Sequence, residues 1–198
     1  MRVFIGIGLP PECRRAIAAA YSQFREKRLP VSWTSERNLH VTLKFLGEIP
    51  PGSVDGIVSL LLGAGLGIPA FEILVDGAGG FPSLRAPRVL WVGIREQLEL
   101  VGKLHENMEN VLSGAGFPSE GRPFHPHITV GRVRDRLPPG WGEEYAGAMS
   151  GGPFGTVMVS SYQLYESRLS PAGAEYAVLR DFPLDRGPER SQREEKGK

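Results

Sequence analysis

At 198 residues, 41% hydrophobic and a net charge of +1, the chain can form one globular domain or two small lobes, and it lacks the overall basic field that drives non-specific nucleic-acid binding. A single cysteine, Cys13, excludes an intramolecular disulfide and a cysteine-rich metal site and suits a reducing cytoplasm, the expected compartment. No apolar run approaches the roughly 18 residues needed to span a bilayer, and the short apolar N-terminus stops at Pro10-Pro11 without a secretory pattern, so neither membrane insertion nor secretion is expected.

Arg2 to Gly8 reads as a buried strand. Pro10-Pro11-Glu12 then opens a helix to about Lys27, with Ile17, Ala20, Tyr21 and Phe24 at helical spacing and Cys13 as core filler on the same face. Val31-Ser32-Trp33 is a short extended piece, and Thr34 to Asn38 a turn-rich approach to a strand beginning Leu39-His40-Val41-Thr42. Pro50-Pro51 with Ser53 begins a second helix that runs to the glycines near Gly63 to Gly67. Ala70 to Asp76 alternates as a strand, Gly77 to Pro82 reads as a glycine-rich loop, and Pro87 to Ile94 is another strand. From Gln97 to Leu112, Leu98, Val101, Leu104, Met108 and Val111 recur at spacings of three and four, which predicts an amphipathic helix with His105 on its surface. A strand containing His127-Ile128-Thr129-Val130 follows, then a loop at Leu137 to Gly142 and a short helix to about Ala148. Phe154 to Tyr165 and Glu175 to Arg180 read as two closing strands joined by a turn at Ser170-Pro171-Ala172-Gly173. Arg186 to Lys198 has no apolar anchor and is expected to be a disordered tail after a domain spanning 1–185.

Two stretches stand out, Leu39-His40-Val41-Thr42-Leu43-Lys44-Phe45-Leu46-Gly47 and Phe124-His125-Pro126-His127-Ile128-Thr129-Val130-Gly131-Arg132. Each carries His-x-Thr within apolar alternation, and random placement of the His and Thr present would give roughly 0.08 such pairs. Side chains two apart on a strand share a face at about 7 Å, so each pair presents an imidazole and a hydroxyl to one site. The order of elements around the two signatures suggests a weak internal duplication. It predicts an α+β fold of two similar lobes, with the signature strands lining the groove between them.

Two imidazoles with ordinary pKa values near 6.5 divide roles near neutrality, one as base and one as acid. That division suits in-line displacement at phosphorus: one His deprotonates an attacking water while the other protonates the departing oxygen. Thr42 and Thr129 supply hydroxyls, and Arg132 a planar fork matched to phosphate. Rival chemistries fit less well. Metal ligation by His125, His127 and His40 lacks a carboxylate at ligand spacing and leaves both threonines unused. A Ser or Cys nucleophile lacks a framing motif, and Gly77-Ala78-Gly79-Gly80 lacks the Lys-Ser/Thr of a nucleotide loop.

On these residues the chain resembles the two-histidine (2H) phosphoesterase superfamily, and within it the bacterial and archaeal RNA 2′,3′-cyclic phosphodiesterases, also called 2′-5′ RNA ligases. The resemblance runs from Arg2 to about Pro183. Besides the two signatures it includes the opening Arg-Val-Phe-Ile-Gly-Ile, Gly-Phe-Pro at 80 to 82, Arg-Val-Leu-Trp-Val-Gly at 88 to 93, and the late Leu164-x-x-Ser167-x-Leu169 with Gly173 and Tyr176. It implies two pseudo-symmetric lobes, each an antiparallel sheet with helices packed outside, around a central groove. It also implies a monomer that needs no metal or other cofactor and hydrolyses a terminal 2′,3′-cyclic phosphate to a 2′-phosphate. Expected substrates are RNA ends, including transfer-RNA halves, or nucleoside cyclic phosphates. In this reading His40 protonates the 3′ oxygen, His127 activates water, and Thr42, Thr129 and Arg132 bind the phosphate. The alternatives are 2′-5′ joining at the same site and a non-catalytic nucleotide- or RNA-binding module.

Strict alternation sends Arg132 to the face opposite His127, so the reading requires a bulge at Gly131 or the end of the strand there. His125 is expected at the groove edge. Lys44, on the parity of His40, is expected to meet backbone phosphates or to end the strand in solvent, and Phe81 and Trp33 to stack a terminal base or to fill the core.

Overall fold

The computed structural model describes residues 1–170 and 173–185. Pro171 and Ala172 of the expected turn, and the expected tail from Arg186 to Lys198, lie outside the described residues. Along the chain come strand β1 (Arg2–Gly8), helix α1 (Pro11–Arg25), β2 (Val31–Trp33), β3 (His40–Glu48), α2 (Val54–Leu61), β4 (Phe71–Phe81), β5 (Val89–Arg95), α3 (Leu98–Ser113), β6 (His127–Val133), α4 (Trp141–Ala148), β7 (Gly155–Val159), β8 (Ser161–Ser170) and β9 (Gly173–Pro183).

The strands form one antiparallel sheet in the order β7-β4-β5-β6-β3-β1-β8-β9, with β2 added to β6. At its middle β3 meets β6 at a single paired position, Val41 opposite Ile128. About that join the order is a palindrome: β5 flanks β6 as β1 flanks β3, and β4 and β7 answer β8 and β9. The two expected lobes are therefore half-sheets whose named strands meet at one narrow seam, with an isolated bridge of Pro69 to Asp185 also linking them.

One face of the sheet carries the core. Val41, Leu43, Ile128 and Val130 are buried there with Cys13, Ile17, Tyr21 and Phe24 of α1 and Val101, Leu104, Met108 and Leu112 of α3. Helical spacing of these side chains turns one stripe of each helix onto the sheet, which leaves the opposite face of β3 and β6 free to line a groove.

Two expectations about strand boundaries change. The glycines at 77 to 80 lie inside β4, not in a loop. A Cβ on Gly79 would sit 2.2 Å from the ring of Trp91, so the missing side chain lets that indole lie flat against the strand. The stretch from Phe154 to Tyr165 is two strands broken at Ser160, and they belong to different half-sheets: β7 pairs with β4, β8 with β1. The burial parity slips there, from Val157 and Val159 to Tyr162 and Leu164.

Candidate active site

Because Val41 faces Ile128, one step either way sets His40 opposite Thr129 and Thr42 opposite His127. Opposed residues of an antiparallel pair share a face, so all four side chains stand together on the groove side. The two histidines are diagonal neighbours, which puts their Cβ atoms about 7–8 Å apart and leaves room for a small anion between the rings.

Each ring is held the same way. Nδ1 of His40 donates to the carbonyl of Asn38 at 2.7 Å, and Nδ1 of His127 donates to the carbonyl of His125 at 2.7 Å. A carbonyl only accepts, so each bond fixes the tautomer with its proton on Nδ1 and a free lone pair on Nε2. In His40 that lone pair accepts from the Thr42 hydroxyl at 2.9 Å. Asn38 is in turn buried and donates from Nδ2 to the carbonyl of Ala174 at 2.6 Å, which ties the His40 support to β9.

Aromatic rings frame the imidazoles. Phe4 lies 4.7 Å from His40 by centroid and stacks on Tyr165, and Tyr176 meets His40 edge-on at 5.3 Å. On the other side Phe81 meets His127 edge-on at 5.1 Å, with Trp91 at 6.4 Å. Phe81 thus belongs to the site. Trp33 belongs to the core, stacked on Tyr21 at 5.3 Å, and a Cβ on Gly131 would meet it at 3.2 Å. Of the framing residues, sequence reasoning missed Phe4, Tyr165 and Trp91 as neighbours of the histidines. For Phe4 and Trp91 the available signal was that β1 and β5 open the two repeats that carry the signatures; Tyr165 lies on β8, whose pairing with β1 had no sequence signal.

The position of Arg132 comes from a bulge. Trp91 pairs with Thr129 but Leu90 with Gly131, so Val130 is the extra residue and Arg132 returns toward the groove. The required irregularity falls one residue earlier than Gly131, and the strand continues to Val133. Its counterpart in β3 is at Leu43, because Gly6 pairs with Thr42 and Ile5 with Lys44. That bulge sends Lys44 the other way. Both expectations for it are overturned: its side chain is buried on the helix face, bonded to Glu109 of α3 and, at 3.0 Å, to the carbonyl of Pro118. His105 is likewise not a surface residue. It is stacked on Phe124 at 4.0 Å, just ahead of the second signature, and faces Glu109 at 3.8 Å. His125 is exposed at the groove edge, 6.2 Å from Phe81.

Burial pushes the pKa of His40 down to about 4; the Asn38 bond opposes this, and the charges of His127 and Arg132 add to it. His127 is lowered for the same leading reason, with Arg132 and His125 adding to it and its own carbonyl bond opposing. Arg132 is exposed, makes no ion pair among the described residues, and acts electrostatically on both rings. Near neutral pH the groove therefore holds two neutral imidazoles beside a guanidinium with no ion pair among the described residues, a setting that attracts an anion. Among the described residues no group of three or more His, Cys, Asp or Glu side chains is placed to hold a metal ion.

The model of the family described as LigT like Phosphoesterase matches the chain twice, over residues 7–91 and 92–176. An RNA 2′,3′-cyclic phosphodiesterase of Thermotoga maritima is 34% identical over 187 residues, 94% of this chain and 97% of the relative. Among solved structures, TT0787 of Thermus thermophilus superposes with a TM-score of 0.72 at 30% identity, covering 93% of this chain and 98% of that one. LigT of Escherichia coli complexed with 3′-AMP superposes with a TM-score of 0.70 at 29% identity, covering 92% and 97%.

Proposed function

The chain belongs to the LigT like phosphoesterase family, and from that premise we propose that it hydrolyses a 2′,3′-cyclic phosphate at an RNA end to a 2′-phosphate, using His40 and His127 as acid and base. The observation that carries this is the pair of imidazoles on one face, each with Nδ1 tied to a carbonyl two residues upstream, which leaves Nε2 as the nitrogen that can exchange a proton with substrate. The names of its relatives, RNA 2′,3′-cyclic phosphodiesterases, agree with that chemistry.

The bound phosphate sits between the rings, its charge met by Arg132 and its oxygens by the hydroxyls of Thr42 and Thr129. This anion reverses part of the electrostatic penalty on His40 and supports its protonated form. His127 Nε2 takes a proton from water as the water oxygen bonds to phosphorus. The bond from phosphorus to the 3′ oxygen breaks, and His40 Nε2–H gives that oxygen its proton. The product is a 2′-phosphate beside a free 3′ hydroxyl, and the two rings regain their starting protonation by exchange with solvent.

Incubation of an oligonucleotide ending in a 2′,3′-cyclic phosphate, with excess chelator, is expected to yield only the 2′-phosphate. A 3′-phosphate product, or activity abolished by the chelator, contradicts the proposal. His40→Ala and His127→Ala are each expected to lower kcat by about 10²–10⁴ with unchanged circular dichroism; full activity in either variant removes that residue from the mechanism.

A further inference from the structure

The net charge of the chain is only +1, yet arginines gather around two cavities, one of them beside the groove. Arg132 and Arg37 line a cavity of about 660 Å³ beside the aromatic frame of His40. Arg134 lines that cavity and also a second one of about 660 Å³, whose wall carries Arg85, Arg88 and Arg136. The two cavities share Arg134 as a lining residue, and its side chain is steadied by a bond from Nε to Ser32 Oγ at 2.8 Å. Apart from Arg37, which pairs with Glu175, none of these arginines makes an ion pair among the described residues. The single carboxylate lining the second cavity, Asp135, is engaged by the backbone N–H of Arg136 at 2.7 Å.

Uncompensated charge at this density costs self-repulsion, and several cations spread over two cavities match a polyanion better than a single small ion. Alternate residues on an extended chain advance about 7 Å, so Arg132 and Arg134 present successive cations on one side. Phe45, the counterpart of Arg132 after the β3 bulge, stands 51% exposed in the same cavity. A basic channel with an exposed aromatic platform is the pattern that holds single-stranded nucleic acid, phosphates along the cations and a base on the ring. An acidic peptide would use the charges and leave the ring idle.

We propose that the nucleotides preceding the reacting end run as a single strand from Phe45 and Arg132, past Arg134, into the cavity of Arg85, Arg88 and Arg136, so that the site is built for oligonucleotide ends over free nucleoside cyclic phosphates. This rests on the reading of the groove as a cyclic phosphodiesterase site. It is tested by comparing a nucleoside 2′,3′-cyclic phosphate with an RNA octamer carrying the same end, for the unmodified protein and for the double variant Arg88→Ser, Arg136→Ser. At about 50 mM salt the octamer's KM is expected to lie about tenfold below that of the mononucleotide, and the double variant to lose most of that advantage. In anisotropy titrations of an octamer ending in 2′-phosphate, the slope of log K against log salt should become shallower by about 1.4 on losing two phosphate contacts. Equal KM values for the two substrates in the unmodified protein, an unchanged slope in the double variant, or equal competition by an acidic peptide of the same charge would overturn the track. Failure to turn over either substrate, with the slope change intact, defeats the hydrolytic reading and leaves the track standing.

Discussion

Under the proposed mechanism, His40 and Arg132 are the residues that bear most on the working pH. The pKa of His40 is pushed down to about 4 and that of His127 is lowered, in both cases by burial first, with the guanidinium of Arg132 adding to the effect. In the proposed mechanism one ring is protonated and the other neutral, so the pH profile of kcat/KM is expected to be a bell centred between the two free-enzyme values. Both lie below the ordinary 6.5, so the optimum is expected on the acid side of it. Replacing Arg132 with Gln removes a positive charge that disfavours both imidazolium ions. Both pKa values then rise, and the bell moves to higher pH while KM increases through loss of the phosphate fork. A profile that stays in place or moves toward acid contradicts the assignment of Arg132 to this groove. At this scale the sequence was most informative about the His-x-Thr pairs, because a period of two fixes their shared face. It could not reveal the carbonyls of Asn38 and His125 that choose the tautomer, since any residue type offers a carbonyl.

Parity along a strand is legible only until an extra residue is inserted. The bulges at Leu43 and Val130 each reverse it, one bringing Arg132 to the groove and the other taking Lys44 away from it. In β3 the reversal creates a buried cation, and α3 supplies its partner. Burial alone would raise the pKa of Glu109, but its bond to Lys44 holds it below the ordinary carboxylate value. A depressed carboxylate stabilises the fold above the unfolded value near 4.5 and loses that contribution as pH falls through its lower folded value. Lys44→Ala leaves Glu109 without its cation and the Pro118 carbonyl without its donor, at an expected cost of about 3 kcal/mol in urea unfolding. Lys44→Met combined with Glu109→Gln should recover at least half of that loss. If the single and double variants are equally destabilised, the interaction is packing and not charge. β4 offers a second check on element-level reasoning. Gly79→Ala would drive a methyl into the Trp91 ring, so a loss of about 1–3 kcal/mol is expected, with His127 displaced through its neighbouring indole. In sequence those glycines resembled a loop because glycine marks a turn and a close approach alike.

Across the whole molecule the duplication is interlocked. The first repeat runs β1, α1, β3, α2, β4 and the second β5, α3, β6, α4, β8, yet β4 pairs with β5 and β8 with β1. Each repeat thus gives its last strand to the other half-sheet. The element order and paired signatures made the repeat visible in sequence, but strand exchange is a matter of partners, which alternation does not encode. Among the described residues, the named strands of the two half-sheets pair with each other only at Val41–Ile128, apart from the isolated bridge of Pro69 to Asp185, and an imidazole from each half stands on the groove side of that seam. In the proposed binding mode, a phosphate held between the rings acts as a strut across this join. A nucleoside 2′-phosphate at about 100 times its Kd should stabilise the fold by about 2.7 kcal/mol, or about 5–10 °C in Tm for a domain of this size. Because the strut needs both ends, His40→Ala in one half and Arg132→Gln in the other are each expected to cut the shift at that concentration by more than half. A shift abolished by one variant and untouched by the other would mean that the anion is held by a single lobe, and the two signatures would then not serve one phosphorus atom.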